Sequence, residues 1–186
     1  MVRRGWFGGD GDMSAPLISK GSEEEDEIFV HQDESPLQKM KGVRVLLIDD
    51  SEDAFLITRH LISKTSTIEV ELEWAPDYET GLMRADDQRY HAYLVDYDLG
   101  ASNGLELIQE LKTRGITAPM ILFTGKGSDE LDVIAIRRGA DDYLDKSEQT
   151  PALLGRTVRH AIQRSRDLET RVRLENRLRQ IGRAHV

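Results

Sequence analysis

The stretch His-Ala-Tyr-Leu-Val-Asp-Tyr-Asp-Leu-Gly, residues 91–100, decides the fold. Its centre is a short apolar run of β-forming residues that stops at the acidic residue Asp96. Such a run is typical of a strand buried on both faces of a parallel sheet. Open α/β sheets hold their functional groups at the carboxyl ends of their strands. Taken alone, Asp96 is also compatible with a cap on the next turn, so its interpretation depends on the residues beside it.

The composition indicates one domain with extensions. The chain has 186 residues, of which 39% are hydrophobic, enough for a core of ordinary size. Its 25 Lys and Arg against 34 Asp and Glu give a net charge of -9, which disfavours direct nucleic-acid binding. The chain has 0 cysteines, and no apolar run approaches the length of a membrane span. We therefore expect a cytoplasmic protein without membrane insertion.

The first 41 residues differ in composition from the rest of the chain. They are rich in Gly, Ser, Asp and Glu and contain an acidic run at 23–27. A segment with so few apolar residues buries too little surface to offset its ordering entropy. The sequence predicts a disordered acidic tail over 1–41, and Met13 and Met40 are alternative start residues.

From residue 42 onward, five strand patterns alternate with helix patterns. The first strand, 43–48, is apolar and stops at Asp49 and Asp50, whereas the second, 68–74, alternates apolar residues with Glu. Five such alternations predict a doubly wound parallel sheet. A strand that is wet on one face belongs at a sheet edge, which favours the order 2-1-3-4-5 over 1-2-3-4-5. The first and third strands are then neighbours.

Asp49, Asp50 and Asp96 are therefore expected to converge at one edge of the sheet. Three carboxylates in one crevice repel each other unless a cation or a shared proton intervenes. Oxygen ligands at a site open to water, with no His or Cys beside them, favour Mg²⁺. The sequence predicts a magnesium site, with a shared proton between close acids as the alternative.

Two further polar residues directly follow the fourth and fifth predicted strands, 119–123 and 142–145. Thr124 contributes a hydroxyl group and Lys146 an ammonium group. A carboxylate, a divalent ion, a hydroxyl and a cation around one cleft are what an acyl phosphate on Asp96 requires.

In combination, five motifs resemble the response-regulator receiver domain of bacterial two-component signalling, the CheY-like superfamily. They are Leu-Leu-Ile-Asp-Asp-Ser, Leu-Val-Asp-Tyr-Asp-Leu, Asn-Gly-Leu-Glu-Leu-Ile, Ile-Leu-Phe-Thr-Gly and Gly-Ala-Asp-Asp-Tyr-Leu-Asp-Lys, in family order. The resemblance implies a receiver domain over 42–164 with a flavodoxin-like fold. It also implies a histidine kinase or a histidine phosphotransfer protein as partner.

The resemblance assigns roles to individual residues. It implies that Asp96 is the phosphoacceptor and that Asp49, Asp50 and Asp96 hold Mg²⁺ with the backbone carbonyl of Asp98. Thr124 and Lys146 correspond to the switch hydroxyl and the phosphate-pairing lysine. Tyr143 corresponds to an aromatic residue that rotates inward. This rotation changes the surface formed by the fourth and fifth predicted strands and the helices that follow them. On spacing alone, Tyr143 is also compatible with a half-buried core residue.

The sequence departs from the family pattern at three positions. Gly100 stands where Pro is common, Asn103 replaces Asp before a glycine, and Ser147 replaces the Pro that follows the lysine. None of these changes removes a predicted phosphorylation residue. Asp98 and Lys126, two residues after Asp96 and Thr124, resemble the family positions that tune how quickly the phosphoryl group is hydrolysed.

The last predicted helix starts at Pro151 and outruns the domain. Over 165–180 it carries the apolar residues Leu168, Val172, Leu174 and Leu178 among Arg and Glu. This pattern predicts a helical extension or the start of a coiled-coil linker, with a homodimer or another signalling module covering the apolar residues. The final six residues, 181–186, match the translation of a common sequencing adapter, and we interpret them as a non-native scar.

Three functions are consistent with the sequence. The first is a phosphoacceptor receiver that signals to a downstream module and has no separate enzymatic reaction. The second is a phosphatase of the haloacid-dehalogenase type, because Asp96-Tyr97-Asp98 has the Asp-x-Asp form of its nucleophile motif. That family places its extra acids after the nucleophile, whereas here the acidic pair precedes it. The third is a receiver-like binding module that is not phosphorylated.

Overall fold

A five-stranded parallel sheet forms the centre of the protein in a computed structural model, which describes residues 40–125 and 129–183. The strands are β1 (Met40–Ile48), β2 (Ile68–Ala75), β3 (Ala92–Val95), β4 (Asp98–Leu99), β5 (Ser102–Asn103), β6 (Met120–Thr124) and β7 (Asp142–Asp145). The sheet has the order β2-β1-β3-β6-β7, and β4 and β5 form a separate antiparallel pair. Because β4 and β5 lie outside the sheet, this is the predicted order 2-1-3-4-5, which is confirmed.

Helices connect the strands. They are α1 (Glu52–Ser63), α2 (Tyr78–Ala85), α3 (Gly104–Thr113), α4 (Asp129–Arg137) and α5 (Pro151–Arg183), with a 3₁₀ turn at Lys146–Glu148. Short polar side chains cap α1, α2 and α3 by accepting hydrogen bonds from backbone N–H groups of the first turn. Ser51 accepts from Ala54 at 3.2 Å, Asp77 from Thr80 at 2.7 Å and Asn103 from Leu105 at 2.8 Å.

The core lies on both faces of the sheet. Successive residues of β1 point to opposite faces, so Leu46 and Ile48 belong to one apolar cluster and Val45 and Leu47 to the other. All residues of β3 and β6 are buried, as expected for central parallel strands. In contrast, β2 alternates buried or half-buried apolar residues with exposed Glu69 and Glu71. Its edge position is therefore confirmed.

The ends of the described chain bear on the domain boundaries. β1 begins at Met40, two residues before the predicted boundary, and the rest of the predicted tail lies outside the described residues. α5 includes residues 181–183, and 184–186 lie outside the described residues. The disordered tail and the non-native scar stay predictions. None of the helices in the described ranges is long and apolar enough to cross a membrane.

α5 has two parts with different surroundings. Its first three turns bury Leu154, Val158, Ala161 and Ile162 against the sheet. The second part is exposed along its length, and Leu168, Val172, Leu174 and Leu178 are 60%, 55%, 56% and 68% exposed. The first part therefore belongs to the domain, and the second extends beyond it.

Candidate functional site

Two buried carboxylates lie side by side because β1 and β3 are hydrogen-bonded neighbours. The backbone N–H of Asp96 donates to the carbonyl of Ile48 at 2.9 Å, one residue before Asp49. Asp49 is 0% and Asp96 is 7% exposed, whereas Asp50 lies at the surface. One oxygen of each of these three carboxylates lies within 4.8 Å of the others. The structure thus brings together the three acids that the sequence predicts to converge.

Asp49 is held on both sides by its neighbours. Its Oδ1 accepts a hydrogen bond from the backbone N–H of Ser51 at 3.0 Å, and its backbone carbonyl accepts one from Nε1 of Trp74 at 2.8 Å. Burial raises the pKa of the Asp49 carboxyl, and the nearby Lys146 opposes that rise. The site therefore holds this carboxylate at an energetic cost, which a cation lowers.

Lys146 follows β7 and points its ammonium group at the two buried acids. Its Nζ lies 2.6 Å from Oδ2 of Asp49 and 3.0 Å from Oδ2 of Asp96. The same Nζ lies 5.7 Å from the ring centroid of Phe123, on the neighbouring strand β6. A cation over an aromatic face gains a further electrostatic attraction. Lys146 is therefore placed to offset charge on Asp96.

The donor set fits a hard divalent ion. Oδ2 of Asp49 is buried, and the ammonium of Lys146 lies 2.6 Å from it. Carboxylate oxygens from Asp49, Asp50 and Asp96, one of them at the surface, match the ligands and the water access that Mg²⁺ prefers. The cluster can thus hold a metal ion.

The remaining predicted residues lie around this cluster. Thr124 ends β6 and is buried, and it pairs in register with Asp145 on β7. Tyr143 is half-buried and packs against the apolar core, which is compatible with both interpretations of this residue. Asp98 is exposed at the start of β4, and Lys126 lies outside the described residues. The roles assigned to these residues stay predictions.

Gly104 approaches Asp96 more closely than the sequence indicates. Its backbone N–H donates to the carbonyl of Tyr97 at 2.8 Å. A Cβ built on Gly104 would collide with the backbone carbonyl oxygen of Asp96 and lie 3.1 Å from Cγ1 of Val95. Asn103 ends β5 and caps α3, and Gly104 is the first helical residue. The glycine is required by this close approach, because no side chain fits there.

Sequence analysis missed three contributors to the site. They are the backbone N–H of Ser51, the indole of Trp74 and the ring of Phe123. Trp74 had a detectable signal, since it is the last residue of the predicted edge strand, 68–74, and so lies at the carboxyl end where the acids lie. Ser51 and Phe123 act through a backbone group and a ring face, which no residue pattern indicates.

Comparisons with known proteins agree with this geometry. A family model described as the response regulator receiver domain matches residues 45–157. The chain is 30% identical over 105 residues to the two-component response regulator PhoP of Pseudomonas aeruginosa, covering 56% of this chain and 47% of PhoP. It is 33% identical over 117 residues to the response regulator RppA of Synechocystis sp., covering 61% of this chain and 48% of RppA. The chain thus spans about half the length of these relatives, which are named as response regulators and not as enzymes.

A solved structure shares the fold. The receiver domain protein described as CheY-like from Methanospirillum hungatei matches with a TM-score of 0.59 at 23% identity. The match covers 67% of this chain and 97% of that protein. The predicted fold class is confirmed by this likeness.

Proposed function

Because the chain belongs to the response regulator receiver domain family, we propose that it accepts a phosphoryl group on Asp96 in a His-Asp phosphorelay. The observation that carries the proposal is the surroundings of Asp96 at the end of β3. An ammonium group lies 3.0 Å from its Oδ2, and two further carboxylates lie close enough to share a metal ion. A receiver of this kind takes its phosphoryl group from a histidine kinase or a histidine phosphotransfer protein.

The transfer itself requires a bond exchange at phosphorus. A carboxylate oxygen of Asp96 forms the new bond, and the bond between phosphorus and the donor breaks. The incoming phosphoryl group adds negative charge beside Asp49 and Asp50, so its binding depends on cations. Lys146 offsets part of this charge, and the hydroxyl of Thr124 donates a hydrogen bond to a phosphoryl oxygen. Stabilisation is thus mainly electrostatic positioning.

Mg²⁺ belongs to the proposal as the remaining cation. Asp49, Asp50 and Asp96 would hold it through carboxylate oxygens, and Asp98 through its backbone carbonyl. When bound, the ion neutralises phosphoryl oxygens and the repulsion among the three acids. The fully buried Asp49 and its orientation by Ser51 support this assignment, because an anchored carboxylate needs little reorganisation to bind an ion.

Substituting Asp50 tests the metal assignment. We expect Asp50→Asn to slow adduct formation at subsaturating Mg²⁺ by about tenfold or more, because loss even of a group that only orients a metal ligand weakens binding that much. The measurement is the rate of phosphoryl incorporation by intact mass with a small-molecule phosphodonor. Asp53→Asn is the matched control, since it removes an exposed carboxylate from the first turn of α1. If Mg²⁺ has no effect on adduct formation, the metal assignment is wrong.

The pH dependence of Mg²⁺ binding follows from Asp49. Its pKa is raised by burial, so protonation competes with the ion at a higher pH than for an exposed Asp. We therefore expect Mg²⁺ affinity to fall on going from neutral to mildly acidic pH, as the pH falls through the raised pKa. Titration monitored by Trp74 fluorescence in a Trp6→Phe background measures this affinity, because Trp74 contacts Asp49 directly. An affinity independent of pH over this range would contradict the expectation.

The switch and the output complete the proposal. Phosphorylation would shift Thr124 and Tyr143 and thereby alter the face formed by α4, β7 and α5, which signals to a downstream module. Some curated relatives are named as transcriptional regulatory proteins, an output that belongs to those longer proteins. For this chain, the lack of nucleic-acid binding expected from its net charge stays a prediction, and so does a cytoplasmic location.

One assay separates the three functions that the sequence allows. The protein is incubated with Mg²⁺ and a small-molecule phosphodonor, and its mass and the phosphate released are measured. A single adduct supports the receiver, many turnovers without an adduct support a phosphatase, and no reaction supports an inert binding module. Family membership and the order of the acids, with Asp49 and Asp50 before Asp96, favour the first outcome.

A further inference from the structure

The exposed second part of α5 carries a mixed seam of apolar and charged residues. Leu168, Arg171, Glu175 and Leu178 follow one another at intervals of three, four and three residues, the spacing of one coiled-coil face. All four are exposed. By helix geometry, this seam lies roughly 100° around the axis from the α5 face that packs on the sheet. It is thus open to a partner without displacing the domain.

We propose that this seam pairs with the seam of a second copy of the chain in an antiparallel arrangement centred on Arg173. Centring on Arg173 places Leu168 level with Leu178 of the other copy. It also places Arg171 level with Glu175 of the other copy. Each dimer then has two apolar layers and two layers of opposite charge.

Charge decides between the two possible directions of pairing. In a parallel pair in register, each residue meets its own copy, so Arg171 faces Arg171 and Glu175 faces Glu175. Like charges at facing positions destabilise an interface, whereas opposite charges favour it and set its orientation. The antiparallel direction is therefore the one that this sequence supports.

The residues that flank the seam fit the same direction. Val172 and Leu174 lie on opposite sides of the seam and are 55% and 56% exposed. In an antiparallel pair, a residue on one side of the seam faces residues on the same side of the seam of the other helix. Residues one position from the centre then lie close to their own copies, Val172 against Val172 and Leu174 against Leu174. Four apolar residues per chain thus become covered in one arrangement.

A groove beside the helix receives the other copy. It has a volume of about 860 Å³ and lies where α5 leaves the domain, with Ile116, Leu168 and Val172 among its lining residues. Leu178 of the second copy lies level with Leu168 in the proposed dimer, and Leu168 is one of the residues that line this groove. The interface then includes the part of the domain around Ile116 as well as the two helices.

Cysteine cross-linking tests the direction, because the chain has 0 cysteines of its own. Leu168→Cys and Leu178→Cys are prepared as separate full-length variants, one of them with a size tag, and are oxidised alone and mixed. A disulfide requires Cα atoms within about 7 Å, and ten helical residues span about 15 Å. We expect a disulfide-linked dimer of mixed size from the mixture and none from either variant alone. Linked dimers from each variant alone, or none in any sample, would overturn the proposal.

Charge reversal gives an independent test. In the antiparallel dimer, Arg171→Glu and Glu175→Arg each replace two attractive contacts with two repulsive ones, so each variant alone should dimerise about tenfold more weakly. Mixing the two variants restores both attractive contacts, and dimerisation recovers. If either substitution weakened dimerisation only by disturbing its own helix, dimerisation would not recover on mixing. In a parallel dimer, neither substitution would weaken dimerisation.

The readout for charge reversal is mass in solution by light scattering over a concentration series. Circular dichroism of each variant shows that α5 remains helical. Unchanged dimerisation of the single variants, or no recovery in the mixture, would overturn the antiparallel pairing. Neither test involves Asp96, so the dimer and the proposed phosphorylation stand or fall separately.

Discussion

The variant Asp96→Asn is expected to lose the phosphoryl adduct completely while remaining folded. Asn preserves the shape of the side chain and the oxygen that accepts a hydrogen bond from the N–H of Tyr97 at 2.7 Å. It removes the charged nucleophile, and an amide oxygen is too weak a nucleophile to form the new bond to phosphorus. Intact mass after incubation with Mg²⁺ and a small-molecule phosphodonor measures the adduct, and circular dichroism measures the fold.

A control with the same chemical change isolates the role of position. Asp87→Asn removes an exposed carboxylate after α2, whose side chain is 66% exposed, and should leave the adduct unchanged. If the adduct persists in Asp96→Asn, the phosphoacceptor is another residue. Asp49 would then be the first to test, because Lys146 lies closer to its Oδ2, at 2.6 Å, than to that of Asp96.

The variant Gly104→Ala is expected to destabilise the domain by about 1–3 kcal/mol, the range for forcing extra atoms into a packed site. Intrinsic helix propensity alone predicts the opposite sign, since Ala is favoured over Gly in helices. The collision decides the sign, because the obstructing atom is the backbone carbonyl oxygen of Asp96 and not the end of a flexible side chain. Denaturant unfolding monitored by circular dichroism measures the change in the free energy of unfolding.

A second glycine of the site region provides the matched control. Among residues 40–125 and 129–183, a Cβ added at Gly125 meets no atom within 4 Å, so Gly125→Ala should change the free energy of unfolding by less than about 0.5 kcal/mol. Equal stabilities for Gly104→Ala and Gly125→Ala would show that the chain relaxes around the new methyl group. Gly104→Ala is also expected to slow adduct formation, because any shift that accommodates the methyl group moves Asp96.

The sheet order and the three acids were predictable because they depend on local sequence patterns. The Glu residues at alternate positions of β2 mark an edge strand, and this one inference places β1 beside β3. Asp49 and Asp96 follow directly after those strands, so the strand order alone brings them together. The position of a residue that directly follows a strand is fixed by the place of that strand in the sheet. These site residues could therefore be located from the strand order.

The rest of the site depends on contacts that no local pattern encodes. Lys146 could be placed near the cleft from its position after β7, but its contact with both Asp49 and Asp96 depends on the direction of a flexible side chain. The short pair β4 and β5 was not predicted, because two-residue strands have no period to detect. The closeness of Gly104 to Asp96 likewise follows from the path of the chain between β3 and α3.

Because α5 is long, a small rearrangement of the domain would displace the far end of this helix by a larger distance. The helix runs without interruption over 33 residues, and 21 of them, residues 163–183, follow the last buried residue, Ile162. At 1.5 Å per residue, that part projects by roughly 30 Å. A tilt of about 10° at the domain surface would therefore move the far end of the helix by roughly 5 Å. A rigid helix of this length would turn the proposed shift of the Thr124 hydroxyl and the Tyr143 ring into a displacement as large as a side chain.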